Sequence, residues 1–329
     1  MSTAVAVAHP NVALSKYWGK RQGPGNFPAV PSLSVSLSGL STRTSVRFDD
    51  AIVEDLVVLN GQPAVDGVRE RVTCLLDRVR AAAMDFRRAE VISHNDFPTA
   101  SGLASSASGF ASLALAATWA IGLDWDGTLV SDLARRSSGS AARSVFPGYV
   151  ELPAAPLGVT EDHVLSAKSI APVDLLPLVV LVCMTTDLPK TTGSSAGMLD
   201  TLRRSPYADA WLHEAPRIHE RVHAALLAGD FGALGEASEA SSLAMHASAI
   251  AAGIVYWNGV TLELLNLVRR MRGDGIKVYA SVDAGPHVKV FLLDSDLEAV
   301  RPAIDSVVGL KRVVVARPGG GATLVREEP

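Results

Sequence analysis

The sequence predicts an α+β fold in which strands and helices are grouped apart. Three observations carry that expectation. The first 60 of the 329 residues read as strands, residues from about 194 to 273 read as four successive helices, and strand patterns return near the end. Grouped elements of this kind indicate α+β architecture rather than alternating βαβ units. With 48% hydrophobic and 19% charged residues, the chain can bury a sizeable core and is not disordered.

Each element has its own signal. "PSLSVSLSGLSTRTSVRF" (31–48) alternates apolar and polar residues, the period of a half-buried strand. "VVLNGQPA" carries Asn60-Gly61, a hairpin turn signal. Residues 67–88 turn helical, with Val68, Val72, Leu75, Leu76 and Val79 on one face. "AEVISH" is a short strand, and a small-residue stretch then leads into a helix ending near Ile121. A helix over 126–137 and a strand at "SVFPGYVEL" close the first half. The strand "LLPLVVLVCMTT" opens the second half, before helices at 194–204, 206–227, 230–250 and 258–273. "KVYASVDAG", "HVKVFLL" and "RVVVARPG" read as strands, with a helix after Asp294. The expected boundary divides the chain into 1–172 and 173–329.

The net charge of −4 supplies no general basic field, so nucleic acid is not an expected partner. Any anion must be held at a local site. His9, Pro10 and Asn11 interrupt the apolar start, which argues against a signal peptide. No uncharged run reaches 18 residues without Gly or Pro breaks, so no membrane span is expected. Cys74 and Cys183 are expected to be reduced core thiols of a cytoplasmic protein.

The stretch "PTASGLASSASGFASLA" (98–114) lies between a strand and a helix. Free N–H groups and the dipole at a helix N-terminus attract anions, and small residues let a phosphate approach the backbone. Ser101, Ser105, Ser106 and Ser108 add hydroxyls. The stretch matches neither GxxxxGK[ST] nor GxGxxG. Close helix packing explains the same small residues equally well in isolation.

Five segments occur in a telling order: "AHPNVALSKYWGKR" (8–21), "NDFPTASGLASSASGF" (95–110), "SSGSAARSVFPGY" (137–149), "MHAS" (245–248) and "DAGPHVKV" (283–290). Together they resemble the diphosphomevalonate decarboxylase family of the GHMP kinase superfamily, over essentially the whole chain. The resemblance implies a two-part GHMP kinase-like fold, with an N-terminal ribosomal-protein-like α/β half and a helix-rich C-terminal half carrying an antiparallel sheet. It implies phosphorylation by ATP and Mg²⁺ of the carbon 3 hydroxyl of mevalonate 5-diphosphate. Loss of phosphate and CO₂ then leaves isopentenyl diphosphate. A homodimer is also implied.

By the same resemblance Pro98, Ser101, Gly102, Leu103, Ala104, Ser105 and Ser106 cradle the nucleotide, with Ser106 nearest the Mg²⁺. Lys190 and Ser194, in "PKTTGSSAGM" (189–198), belong to a loop that covers it, although an ordinary helix cap explains that segment equally well. Tyr17, Lys20, Ser138, Ser140 and Arg143 face the substrate's phosphates, Arg143 alternatively its carboxylate. Asp283 faces the carbon 3 hydroxyl, as base or as electrostatic support. The chain departs from the family at Gln22, Val30, Pro31 and His287. Relatives acting on mevalonate 5-phosphate, or phosphorylating mevalonate without decarboxylation, are the alternatives.

One motif points elsewhere. "HERVH" places His219, Glu220 and His223 in the H-E-x-x-H spacing of a zinc hydrolase. A third ligand is missing at the expected spacing, where Gly229 stands, and Glu239 and Glu263 lack supporting context. Both histidines are expected on the polar face of an amphipathic helix.

Overall fold

The computed structural model describes residues 3–97 and 105–325. Strands β1 (Thr3–Ala8), β2 (Asn11–Ser15), β3 (Ser32–Ser36), β4 (Thr42–Asp49), β5 (Leu56–Leu59) and β6 (Gln62–Pro63) precede helix α1 (Asp66–Ala83). Next come β7 (Arg88–Asn95), α2 (Ser105–Ala120), α3 (Gly127–Ser137), a 3-10 helix (Gly139–Val145), β8 (Tyr149–Leu152), β9 (Lys168–Ala171) and β10 (Leu178–Met184). Four helices follow: α4 (Ser194–Arg204), α5 (Ala208–Leu227), α6 (Phe231–Ala251) and α7 (Gly259–Gly273). Then come β11 (Tyr279–Val282), β12 (Val288–Leu293), α8 (Leu297–Asp305), β13 (Arg312–Ala316) and β14 (Thr323–Leu324).

The described residues form three sheets, ordered β14-β1-β4-β7-β5-β6, β2-β3-β8-β9 and β11-β12-β10-β13. The first packs its apolar face on α1, α2 and α3 around Val46, Phe48, Leu75, Leu76 and Leu133. The other two sheets share a core with α5 and α6 that includes Leu14, Val180, Ile218 and Leu226. The opposite face of the β10 sheet packs on α7 and α8 through Leu264, Val268 and Ile304. The α+β class is as the sequence predicts.

The chain's last strand returns to its first, Ala6 pairing with Leu324 and Val7 with Thr323. The preceding backbone threads so tightly that a Cβ on Gly321 would stand 2.4 Å from Val145 O. Only glycine fits such an approach.

Several local expectations need correction. The first helix stops at Ala83, not near residue 88, because Met84 turns left-handed (φ 51°) and its N–H caps the last turn. "SVFPGYVEL" is a strand only from Tyr149 onward, since a 3-10 helix occupies Gly139–Val145. Cys74 lies exposed on α1, whereas Cys183 is buried as expected. In α2, Ser108 is buried and its Oγ meets Thr42 Oγ1 at 2.6 Å, while Ser112 meets Thr44 at 2.7 Å. The small residues of the helical part therefore let α2 lie close on β4, and the Ser108 hydroxyl is spent on Thr42. Among the described residues no helix is long and apolar enough to cross a membrane.

Candidate active site

A cavity of about 560 Å³ opens between the two halves of the chain. Its walls come from the β2 end, the α1 flank, the start of α2, the 3-10 helix, the start of α4 and the β11–β12 turn. Five cations line it: Lys16, Lys20, Arg71, Arg143 and Lys190. Asp283 is the one carboxylate among the described lining residues. A protein of net charge −4 thus gathers positive charge at one place, as an anion site requires.

Asp283 follows β11 and enters a tight turn in which Gly285 N donates to Asp283 O. Its carboxylate accepts from Lys16 Nζ at 2.6 Å and lies 3.1 Å from Lys289 Nζ. Both lysines are buried, at 2% and 3% side-chain exposure. Burial alone would raise the Asp283 pKa, but the two ammonium groups override it and hold the carboxyl well below the usual range. Burial lowers Lys16 from its ordinary value against the pull of Asp283.

Arg143 is 2% exposed and projects from the 3-10 helix onto β2 and β3. It donates to Ser34 Oγ (2.9 Å), Ser32 Oγ (2.7 Å) and Asn11 Oδ1 (3.4 Å). All three partners are neutral, so its charge is oriented but not neutralised. Burial lowers its pKa to about 10.

Beside it, the Ser138 and Ser140 hydroxyls lie 3.3 Å apart. The glycine between them leaves room for the Tyr17 ring. A Cβ on Gly139 would stand 2.4 Å from the Tyr17 ring. Tyr17 OH donates to Asn26 O, and burial raises its pKa.

Lys20 bonds Asn26 Oδ1 (2.6 Å) and Ser195 Oγ (2.8 Å), and burial lowers it to about 8, with Arg71 adding to the effect. Lys190 donates to Ser194 Oγ (2.8 Å) and Ala284 O (3.0 Å). Two lysines therefore meet the N-terminal turn of α4, where the helix dipole itself is positive. Ser105 and Ser106 line the same cavity at the start of α2.

The structure thus brings together Tyr17, Lys20, Ser105, Ser106, Ser138, Ser140, Arg143, Lys190, Ser194 and Asp283 around one cavity. Pro98, Ser101, Gly102, Leu103 and Ala104 lie outside the described residues.

Two family models match the chain. One, described as the diphosphomevalonate decarboxylase-like N-terminal domain, covers residues 8–161; the other, the mevalonate 5-diphosphate decarboxylase C-terminal domain, covers 180–317. The diphosphomevalonate decarboxylase of Candida albicans is 31% identical over 91% of this chain and 87% of its own length. The chain belongs to the diphosphomevalonate decarboxylase family. A phosphomevalonate decarboxylase of Haloferax volcanii is 32% identical over 92% of this chain and 91% of its own. A solved structure described as "MDDEF in complex with MVAPP, AMPPCP and Magnesium" superposes with a TM-score of 0.91 at 36% identity, covering 99% of both chains.

Against this diphosphomevalonate decarboxylase framework, four site residues escaped the sequence reading. Lys289 had a legible signal, a lone lysine inside the apolar strand "HVKVFLL", which burial obliges to find a carboxylate. Lys16 stands in "KYWGK" but carries no local mark that separates it from Lys20. Asn11 bonds Arg143, Ser140 O and Ser144 Oγ. Arg71 on α1 reaches the cavity mouth over Phe110, 5.2 Å from the ring centroid, with no ion pair among the described residues.

Of the departures, Gln22 is exposed, and Val30 is buried in an apolar cluster with Trp18 and Trp211. His287 is fully buried, accepts from Thr185 N at Nδ1 (3.2 Å), and is lowered to about 3 by burial and then by Lys289.

His219 is not on the helix surface as the sequence suggests. It is 6% exposed, with Nδ1 on Ser15 Oγ and Nε2 on Glu151 Oε1, both at 2.9 Å. Glu220 is exposed, Glu239 pairs with Arg272, and Glu263 pairs with Arg270. Both ring nitrogens of His219 already have protein partners, so the zinc motif is a coincidence of spacing.

Proposed function

We propose that the protein decarboxylates mevalonate 5-diphosphate at the expense of ATP, yielding isopentenyl diphosphate, ADP, phosphate and CO₂. The observation that carries this reading is the charge of the cavity: five cations face one ionised carboxylate that is itself clamped by lysines. Such a site suits two polyphosphates and a carboxylate at once.

Within the reading, Ser105, Ser106, Lys190 and Ser194 hold the nucleotide's phosphates. Lys20, Tyr17, Ser138 and Ser140 hold the substrate's. Arg143, with no acid of its own, takes a phosphate or the departing carboxylate. Ser106 fits Mg²⁺, which keeps water and phosphate oxygens as most of its ligands; when bound, the ion neutralises charge on the transferring phosphoryl group. Lys16 and Lys289 hold Asp283 ionised and lower its basicity. Its role is to accept the carbon 3 hydroxyl's hydrogen bond, aim that oxygen at the γ-phosphorus, and stabilise positive charge on carbon 3. The O–P bond forms as the bond from the γ-phosphorus to ADP breaks, and the hydroxyl's proton passes to a phosphoryl oxygen. Phosphate then departs with the C–O electrons, and the C–CO₂⁻ electrons become the alkene.

Division of the chain near residue 172, a cytoplasmic location and a homodimer belong to the same reading. The test is incubation with Mg-ATP and mevalonate, its 5-phosphate or its 5-diphosphate, following CO₂ and ADP. CO₂ only from the diphosphate is expected. Efficient CO₂ release from the 5-phosphate would favour the second reading, for which the Haloferax volcanii relative is the support. ADP without CO₂ would indicate a kinase.

A further inference from the structure

His219 is a buried titratable group that this chemistry leaves unused. It sits on α5, between two strands of the first half. Nε2 faces Glu151 on β8, whose other oxygen lies 3.1 Å from Lys168 Nζ. The His219 hydrogen bond, acting against burial and aided by Lys168, holds Glu151 down at about 2. The Glu151 carboxylate oxygen can only accept, so Nε2 carries the hydrogen toward it. Nδ1 is then left to accept from Ser15 O–H. Ser15 Oγ in turn accepts Leu33 N–H at 2.8 Å.

That last contact sits at a fault in the ladder. β2 pairs Ala13 with Ser34 but Ser15 with Leu33, so Leu14 is an extra residue. A bulge bends a strand and re-aims the side chains beyond it. Here the next residue is Lys16. Its Nζ reaches back over the bulge to Ala13 O (3.1 Å) and donates to Asp283, while its N–H donates to Ser241 Oγ on α6 (2.9 Å).

We propose that His219 is a positioning residue: oriented by Glu151, it holds the Ser15 hydroxyl that pins the β2 bulge and so aims Lys16 at Asp283. The inference rests on the reading of Asp283 given above. His219 has no need to touch substrate.

Two substitutions at the same position separate the contacts. His219→Asn keeps an acceptor near the Nδ1 position, facing Ser15. His219→Gln places its amide near Nε2, facing Glu151, and abandons Ser15. Ser15→Ala removes one oxygen and provides a second route should the Gln variant fail to fold. The readouts are kcat and KM for mevalonate 5-diphosphate, with melting temperature alongside.

His219→Gln and Ser15→Ala are expected to lower kcat about tenfold or more, since a shift of about 1 Å at a reacting group costs ~10²-fold. KM should stay within about twofold, because the phosphate-holding groups are untouched. His219→Asn should recover most of the lost kcat even where its melting temperature falls as far as that of the Gln variant. The Gln/Ala double variant should be no slower than its slower parent, as expected for one shared path. Equal loss in the Asn and Gln variants, tracking melting temperature, would overturn the proposal. So would unchanged kcat in the Gln and Ala variants. Absence of CO₂ release by the wild-type protein would instead refute the proposed function, and this inference with it.

Discussion

Replacing Asp283 by Asn tests the centre of the site most directly. The carboxylate accepts from Lys16 Nζ at 2.6 Å and faces Lys289 Nζ at 3.1 Å, and both lysines are almost fully buried. The amide keeps the size of the side chain and the turn, but removes the charge. Loss of preorganised electrostatic support costs about 10²–10³-fold in rate, and losing an aligned acceptor at the hydroxyl adds to it. A fall in kcat of at least about a thousandfold is expected.

The same change leaves two buried ammonium groups without a counter-charge. Breaking a buried pair costs ~3–5 kcal/mol. For a chain of this length that is a drop in melting temperature of roughly 3–6 °C. Substrate affinity should hold or improve, since the cavity becomes more positive. Steady-state turnover, calorimetric substrate binding and thermal unfolding decide the matter. A loss in kcat below about tenfold, or binding lost together with turnover, would refute the role assigned to Asp283.

The remaining predictions follow from single contacts. Arg143→Gln should weaken substrate binding and transition-state support by ~2–4 kcal/mol, with some loss of stability because Ser34, Ser32 and Asn11 lose its hydrogen bonds; unchanged kinetics would remove it from the site. Arg71→Gln should raise the KM of at least one phosphate ligand about five- to tenfold with kcat intact, and steady-state titration of ATP and of substrate shows which. Gly139→Ala should raise the substrate KM by displacing Tyr17, and kinetics indistinguishable from wild type would contradict the close contact.

Glu151→Gln tests the acid limb of stability. A carboxyl lowered from 4.5 to about 2 on folding contributes stability above pH 4.5 that is lost as pH falls toward 2. The stability gap between wild type and Glu151→Gln should therefore narrow below pH 4.5 in denaturant melts. A gap constant with pH would show that Glu151 is not perturbed by folding.

Much of the fold was legible because its elements obey local rules. The helices at 194–204 and 258–273 were located within a residue, since their apolar stripes and polar starts agree. The Asn60-Gly61 turn formed as its chemistry demands, with φ of 49° and 78°. The 3-10 helix was missed because "GSAARSV" has no periodic stripe; it is ordered by Arg143 reaching across to β2 and β3. Arg143 and Asp283 were found through motif order. Lys16 and Arg71 were not, since their roles depend on which elements the fold brings alongside them. His219 was misplaced for the same reason: its face of α5 reads as polar until Glu151 and Ser15 arrive from strands far away in sequence.

The pairing of Thr323 and Leu324 with β1 fixes an order of events in the cell. β1 is made well before β14, so its outer edge gains that partner only after all the elements between them have been made. Until then that edge offers open N–H and C=O groups to any passing strand. Contacts so distant along the chain also slow folding, since the loop between them must close before they form. The glycine-rich segment before β14 brings in the strand that closes this edge, and chains lacking it should be the ones most prone to associate.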